Sequence, residues 1–353
     1  MATIYGTNGP DYKVGTTAAD LIYGYDGNDS LNGKAGNDQI WGGAGKDTIY
    51  GDLGNDILRG DSGDDIVYSG AGNDITYGGI GNDILYGDAG TDTVKGEAGN
   101  DIIKGGTGIS YLYGGDGTDT LYYDPTTSPI RQVTDYFYES ILDGGAGTDT
   151  LNVFNHATYT DAAGQIKPAT TIISMNGYTT GEIFFWDPVN FEQSRAGSIQ
   201  DVEKITVTGA GRLEFYGSFL EGFGTDITGT AGDDVFVTNI SSNIMRGGAG
   251  NDEFHSFVVG DAIVSNTNDA DRFYFHASIK SEATITGFNG AGVYGGDRIY
   301  FDDDNGNGFV KDVQEIGDKT VFHIETVEPY EDAGATVTVD KIGLVEGVDY
   351  FFI

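Results

Sequence analysis

The stretch Gly51–Arg59 reads Gly-Asp-Leu-Gly-Asn-Asp-Ile-Leu-Arg, and this nine-residue pattern predicts the fold because it recurs without losing phase. Thirteen consecutive units fill residues 6–122, each with a glycine-rich half that ends in Asp and a short half with a central apolar residue. Internal repetition of this length predicts an architecture of stacked repeats. The aspartates at the sixth position, interrupted once by Ser110, are Asp11, Asp20, Asp29, Asp38, Asp47, Asp56, Asp65, Asp74, Asp83, Asp92, Asp101 and Asp119.

The residue types within one unit predict a turn followed by a short strand. Glycines at the first and fourth positions are expected to take positive φ angles in the turn. The last three residues are too few for a helix but suffice for a strand whose eighth-position side chain faces inward. Lys13 and Thr76 break the apolar rule at that position. Two nonamers complete one coil, so the chain is predicted to be all-β, a right-handed parallel β-roll with a thin aliphatic core.

Stacking of coils brings the turn aspartates together on two edges, because residues eighteen apart lie one strand spacing apart. Closely spaced carboxylates cannot all remain ionised without a cation between them. Carboxylate and inward carbonyl oxygens form an all-oxygen ligand set that suits Ca²⁺, so we expect about ten or more calcium ions. Ser110 and Ala18 interrupt the Asp38 edge, which predicts about three or four ions there and about five or six on the Asp29 edge.

The nonamers Gly42–Tyr50 and Gly78–Tyr86 carry a resemblance to the RTX (repeats-in-toxin) calcium-binding proteins. The resemblance implies export by the type I secretion machinery, folding in external calcium, and a secreted, extracellular or cell-surface location. It implies no single activity, because RTX rolls occur in proteases, lipases, polysaccharide epimerases, adhesins and surface-layer proteins.

Composition narrows the class of partner. The formal charge of −37, from 55 acidic and 18 basic residues, excludes nucleic acid and anionic membrane surfaces as expected partners. Self-repulsion and 58 glycines should keep the chain unfolded without calcium. The chain has no cysteine, and neither a Sec signal nor a membrane span is expected from its sequence.

The strict pattern ends after residue 122, and three further segments are predicted. Residues 123–228 read as a β-rich insertion or irregular β-helix that contains one intact nonamer with Asp149. Residues 229–301 read as a second short roll, in which Asp234 and Asp252 should share a calcium ion. Its last part resembles the caps of serralysin-type proteases and mannuronan epimerase modules.

Residues 302–353 are predicted to hold an acidic loop, capping strands and a type I secretion signal. Asp303, Asn305 and Asn307 have the spacing of an EF-hand loop that begins a calcium site, but Gln314 replaces the bidentate Glu, so a plain acidic loop is the alternative. The apolar tail after Asp349 reads as an export signal, as a last strand packed on the cap, or as both.

No catalytic motif is recognisable. The four histidines lack zinc-ligand spacing, and no Gly-x-Ser-x-Gly elbow is present. Glu182, Asp187 and Glu192 flank the aromatic run Phe184–Trp186, which is compatible with a sugar groove but more typical of core and rim. The ninth-position tyrosines are expected to form no full column.

The leading functional hypothesis is therefore a secreted, calcium-folded structural or interaction protein at the cell surface or in the matrix. A polysaccharide-binding module or a small polysaccharide-modifying enzyme is the alternative. Ice binding is remote, because the third turn position supplies no outward threonine column.

Overall fold

The computed structural model describes residues 1–124, 140–155, 158–160, 166–168, 170–175, 181–187, 192–200, 204–209, 211–217, 225–238, 243–256, 259–265, 269–276, 281–288, 296–302, 308–316, 319–326, 334–341, 344 and 350–352. Every regular element in these ranges is a β-strand, which confirms the all-β prediction. Within them no helix is long and apolar enough to cross a membrane. The chain divides into one compact unit of Met1–His156 with Gln193–Lys204, and another of Ala157–Glu192 with Ile205–Ile353.

Each nonamer of residues 6–122 supplies one strand of the first unit. In chain order β1 to β16 are Thr3–Tyr5, Tyr12–Val14, Leu21–Asp26, Ser30–Asn32, Gln39–Ala44, Thr48–Tyr50, Ile57–Ser62, Ile66–Tyr68, Ile75–Ile80, Ile84–Tyr86, Asp92–Ala98, Ile102–Lys104, Ser110–Gly117, Thr120–Tyr123, Ser140–Gly147 and Thr150–Asn155.

The remaining strands are less regular in length. In chain order β17 to β35 are Thr158–Thr160, Ile166–Pro168, Thr170–Met175, Gly181–Asp187, Glu192–Gln200, Lys204–Gly209, Leu213–Tyr216, Asp226–Thr228, Val235–Thr238, Ile244–Arg246, Glu253–Ser256, Val259–Val264, Arg272–His276, Ser281–Thr286, Arg298–Asp302, Gly308–Ile316, Lys319–Thr326, Gly334–Val339 and Tyr350–Phe352.

The first unit is a parallel β-solenoid of two facing sheets. Odd-numbered strands β1 to β15 pair in sequence in one sheet, and even-numbered strands β2 to β16 pair in sequence in the other. The register advances by eighteen residues per coil, as in the pairs Ile22↔Ile40 and Leu31↔Ile49. The pair Leu112↔Leu142 advances by thirty, so β15 and β16 continue the roll after one longer coil.

The core between the two sheets consists of the eighth-position side chains. Eleven aliphatic residues at this position are completely buried: Ile22, Leu31, Ile40, Ile49, Leu58, Val67, Leu85, Val94, Ile103, Leu112 and Leu121. Thr76 is also fully buried, and its hydroxyl lies 2.7 Å from the hydroxyl of Ser69, which replaces the first glycine of the same nonamer. The hydroxyl groups of Ser69 and Thr76 therefore satisfy each other in an otherwise apolar core.

The second unit has parallel ladders with a larger, aromatic core. Strands β19, β23, β25, β27, β29, β31 and β35 pair in parallel, while β24, β26, β28, β30 and β34 form another parallel ladder, which β33 and β32 extend in antiparallel fashion. The rings of Phe236, Phe254 and Phe273 stack with centroids 4.9 and 5.2 Å apart. Tyr350–Phe352 pairs in parallel with β31, whereas Asp349 and Ile353 lie outside the described residues.

Candidate metal centre

The turn aspartates of the first unit form two columns, one along each edge of the roll. In each column the backbone N–H of one Asp donates to Oδ1 of the Asp in the next coil, at 2.7–2.9 Å. One column contains Asp11, Asp29, Asp47, Asp65, Asp83, Asp101, Asp119 and Asp149, and the other contains Asp20, Asp38, Asp56, Asp74 and Asp92. These hydrogen bonds hold one oxygen of each carboxylate and leave the other oxygen for a different partner.

That second oxygen, Oδ2, is buried and receives no hydrogen bond within the described part of the chain. The residues concerned are at most 2 % exposed, and they are Asp29, Asp38, Asp47, Asp56, Asp65, Asp74, Asp83, Asp92, Asp101, Asp119 and Asp252. A buried anionic oxygen without a donor costs free energy unless a cation compensates it. A repeated set of such oxygens therefore fits a row of bound cations.

The electrostatics of the columns agree with this need for cations. Burial, reinforced in most of these residues by neighbouring carboxylates, raises the pKa of Asp47, Asp74 and Asp101 to about 6 from the usual 3.8. The same causes raise the pKa to about 7 in Asp56, Asp65, Asp83 and Asp92. Without a cation, these groups would hold protons close to neutral pH, whereas Ca²⁺ stabilises the ionised form.

The first glycine of each nonamer provides the space for this oxygen set. A Cβ placed on Gly60 would lie within 3.0 Å of Asp65 Oδ2 and of the Gly78 carbonyl oxygen in the next coil. Gly24, Gly42 and Gly78 have equivalent surroundings. A carboxylate oxygen and a carbonyl oxygen thus converge beside the same Cα atom, and oxygens of these two kinds are the ligands that Ca²⁺ prefers.

The prediction that the first glycine takes a positive φ angle is wrong. Positive φ angles occur at the fourth position, as in Gly54 at 145°, and at the second position, as in Gly43 at 110°. Six second-position residues are not glycine and still adopt this left-handed conformation: Tyr25, Lys34, Asp52, Asp61, Asp88 and Glu97. The first glycine is required for close approach of oxygen atoms, and the fourth for backbone conformation.

The fifth position forms an additional ladder that sequence reasoning did not identify. Oδ1 of Asn55 accepts a hydrogen bond from the N–H of Asn73 at 2.8 Å, and Oδ1 of Asn73 accepts one from the N–H of Thr91 at 2.9 Å. These bonds run from the later coil to the earlier one, opposite to the aspartate bonds. The recurrence of Asn directly before Asp was the available signal, and it reflects stacking of turns.

Asp11, Asp20 and Asp234 differ from the other predicted ligands. A threonine at the second position of each turn donates to the carboxylate, with Thr16 N–H and Oγ1 lying 2.6 and 2.8 Å from Asp20 Oδ2. The hydrogen bonds from Thr7 are the largest cause of the lowered pKa of Asp11. The pKa of Asp20 is lowered first by the hydrogen bond from the Ala2 N–H and then by those from Thr16. Ser110, which replaces the Asp of its nonamer, is 1 % exposed and pairs in register with Asp92. The second column is therefore interrupted at Ser110.

In the second unit the aspartate column continues beyond the recognisable nonamers. Asp234, Asp252, Asp271 and Asp297 are linked by the same N–H to Oδ1 hydrogen bonds, each 2.9 Å long. Carboxylate oxygens of Asp269, Asp271 and Asp297 lie within 4.8 Å of one another. The irregular spacing of nineteen and twenty-six residues concealed Asp271 and Asp297 from sequence reasoning, although each precedes a strand as the nonamer aspartates do.

Some predicted positions cannot be placed. Asp303, Asn305 and Asn307 lie outside the described residues, as do the side chains of Glu182, Asp187 and Glu192. Asp149 is described, and it extends the first column through its bond from the Asp119 N–H.

The outer faces of the roll carry partial aromatic stacks, which other residues interrupt, so the ninth-position tyrosines form no full column, as expected. On one face the rings of Tyr50, Tyr68 and Tyr86 stack with centroids 5.1 and 4.7 Å apart, and Lys104 lies over Tyr86 at 4.8 Å. On the other face Tyr23 stacks on Trp41 at 4.6 Å. Only alternate nonamers share a face, which is why these stacks are invisible in consecutive repeats.

Comparison with known families agrees with this geometry. A family model described as the RTX calcium-binding nonapeptide repeat matches in overlapping copies across residues 5–125 and again at residues 223–255. No curated protein matches the chain.

Proposed function

We propose that this protein, in which residues 5–125 and 223–255 are RTX calcium-binding repeats, folds on external Ca²⁺ after type I export and then acts as a structural or interaction protein at the cell surface or in the matrix. One observation carries the proposal. Along both columns of the first unit, from Asp29 to Asp119, the turn aspartates bury a second carboxylate oxygen that has no donor among the described residues.

The carboxylates that would hold the ions are those of the two columns and of the second roll. They are Asp29, Asp38, Asp47, Asp56, Asp65, Asp74, Asp83, Asp92, Asp101, Asp119, Asp149 and Asp252. Bound Ca²⁺ supplies positive charge and oxygen coordination at the turns. Ten ions would contribute roughly +20 against the formal charge of −37.

The energetics make calcium a condition for folding. With a dissociation constant of about 10⁻⁴ M, a tenfold excess of calcium contributes about 1.4 kcal/mol per site. Nine or ten coupled sites then contribute roughly 13 kcal/mol, which is comparable to the stability of a whole domain. An unfolded chain in a low-calcium cytosol and a folded chain outside is the arrangement that such sites support.

Circular dichroism of the full chain tests the calcium step. We expect a largely disordered spectrum in EGTA and a cooperative gain of β-signal on addition of calcium. Asp29→Ala should raise the calcium concentration at the midpoint, whereas Asp26→Ala, which removes an exposed carboxylate from the same turn, should leave it unchanged. A spectrum that does not respond to calcium would contradict the proposal.

The outer sheet faces favour polysaccharide binding as a second candidate. Over residues 3–122 the outward seventh and ninth positions carry no carboxylate, although the chain has 55 acidic residues. Stacked tyrosine rings at a regular spacing suit the sugar rings of an extended polysaccharide. Binding to neutral and to anionic insoluble polysaccharides in calcium tests this candidate, with Tyr68→Ala as the variant and Tyr12→Ala, at an exposed position of the same sheet, as the control.

A further inference from the structure

Three turns of the protein carry threonine at the second position: Thr7, Thr16 and Thr230. In each, the threonine N–H donates to the sixth-position Asp of its own turn, and the threonine hydroxyl lies within hydrogen-bond distance of the same carboxylate. Thr7 N–H and Oγ1 lie 2.5 and 2.9 Å from Asp11 Oδ2. Thr230 N–H lies 2.6 Å from Asp234 Oδ2, and Thr230 Oγ1 lies 2.8 Å from Asp234 Oδ1. Oδ2, which lacks a donor in the turns of Asp29 and Asp38, therefore has one here.

The backbone of these turns also differs. At the second position of the other turns, from Tyr25 to Gly115, φ lies between 61° and 120°, whereas none of the three threonines has a positive φ. A β-branched residue is strongly disfavoured in the left-handed region. The threonine therefore holds its turn in the conformation that directs the second-position N–H at the carboxylate.

The location of these turns is consistent. Thr7 and Thr16 belong to the first two turns of the chain's first run of repeats, and Thr230 belongs to the turn that begins the second run. The Asp of each threonine turn still donates its backbone N–H to the next coil. Asp11 N–H donates to Asp29 Oδ1 at 2.8 Å, and Asp20 N–H donates to Asp38 Oδ1 at 2.7 Å.

From these three observations we infer that the second-position residue determines whether a turn binds calcium, and that Thr7, Thr16 and Thr230 close their turns without it. The carboxylates of Asp11, Asp20 and Asp234 then accept hydrogen bonds within their own turns in place of binding calcium. The backbone N–H groups of these residues donate to the Asp of the next, calcium-binding coil. The inference rests on calcium binding by the other turns.

Counting bound calcium on the full chain by equilibrium dialysis tests the inference. Thr230→Gly creates a turn of the same type as Gly247–Asp252, so it should bind one more ion than the wild type. Ala231→Gly, at the third position of the same turn, should leave the count unchanged. Thr7→Gly, with Asn8→Gly as its control, repeats the comparison in the first roll and keeps the test decisive if a variant in the second roll does not fold.

Alanine at the aspartates supplies the converse comparison. Asp20→Ala should lose no ion, whereas Asp38→Ala should lose at least one. Loss of an ion from Asp20→Ala, or no gain in either threonine-to-glycine variant, would overturn the inference. An unchanged count in Asp38→Ala would instead contradict calcium binding by the columns, so the two failures are distinguishable.

Discussion

At the scale of single residues, the first position of a nonamer requires glycine because a side chain there would displace the carboxylate and carbonyl oxygens of the turn. Gly60→Ala would place a Cβ within 3.0 Å of Asp65 Oδ2 and the Gly78 carbonyl oxygen. We expect a loss of about 1–3 kcal/mol of stability in saturating calcium, together with weaker calcium binding. Gly9→Ala is the matched control, because a Cβ there meets nothing within 4 Å. Thermal unfolding measures both, and equal unfolding temperatures would contradict this role.

The second position holds residues under backbone strain. Lys34 has a φ of 74°, a conformation that glycine adopts at little cost and other residues do not. Lys34→Gly should therefore be more stable than Lys34→Ala by about 1 kcal/mol. The two variants remove the same charge, so their difference in free energy of unfolding in denaturant reports the backbone alone. An Ala variant at least as stable as the Gly variant would rule out strain at this turn.

At the scale of one element, the break in the second aspartate column shows what a column requires. Ser110 takes the place of an Asp, and the N–H of Asp92 donates to the Ile109 carbonyl at 3.0 Å, where the other N–H groups of the column donate to a carboxylate. Ser110→Asp should add one calcium ion per chain and about 1–2 kcal/mol of stability at saturating calcium.

Ser110→Asn separates charge from hydrogen bonding at this position. The amide can accept the Asp92 N–H without supplying a carboxylate, so we expect it to leave the number of bound ions unchanged. Titration calorimetry supplies the ion count for both variants. An ion gained by Asn as well as by Asp would contradict the assignment of the carboxylate as ligand.

At the scale of the whole molecule, the columns couple folding to pH when calcium is absent. Asp56, Asp65, Asp83 and Asp92 have a pKa of about 7 in the roll and 3.8 in an unfolded chain, so the folded state binds more protons between these values. Stability in calcium-free buffer should therefore rise as the pH falls from about 7 to about 4, and it should be lost as the pH rises through 7. Circular dichroism at a series of pH values detects the gain in β-signal.

The pH dependence can be assigned to the columns by removing their titration. Asp65→Asn with Asp83→Asn should reduce the slope of stability against pH, because amides do not ionise. In saturating calcium the dependence should reverse, since protons compete with Ca²⁺ for the same oxygens. A metal-free chain that loses β-signal on acidification would contradict the expected gain of stability at low pH.

The solenoid, its core and its two aspartate columns follow from the periodicity of the sequence alone. A nine-residue phase held over thirteen units leaves one way to stack equivalent positions, so Ile22, Ile40 and Leu58 become neighbours and Asp47 follows Asp29. Periodicity is a property of the chain, and the fold reproduces it. The same reasoning predicted the calcium ligand chemistry, because charge density at the turns can be read from residue types.

The contacts between individual atoms of neighbouring coils depend instead on the folded backbone and cannot be read from the repeat. In the fold, Gly60 is required for close approach of oxygen atoms, whereas Gly43 has a positive φ angle. Thr16 donates to Asp20, and Asp297 joins an aspartate column despite its irregular spacing. These outcomes depend on distances of a few ångströms between residues far apart in the chain. Residue spacing specifies that two positions stack, whereas the backbone conformation of each turn specifies which of their donors and oxygens point at each other.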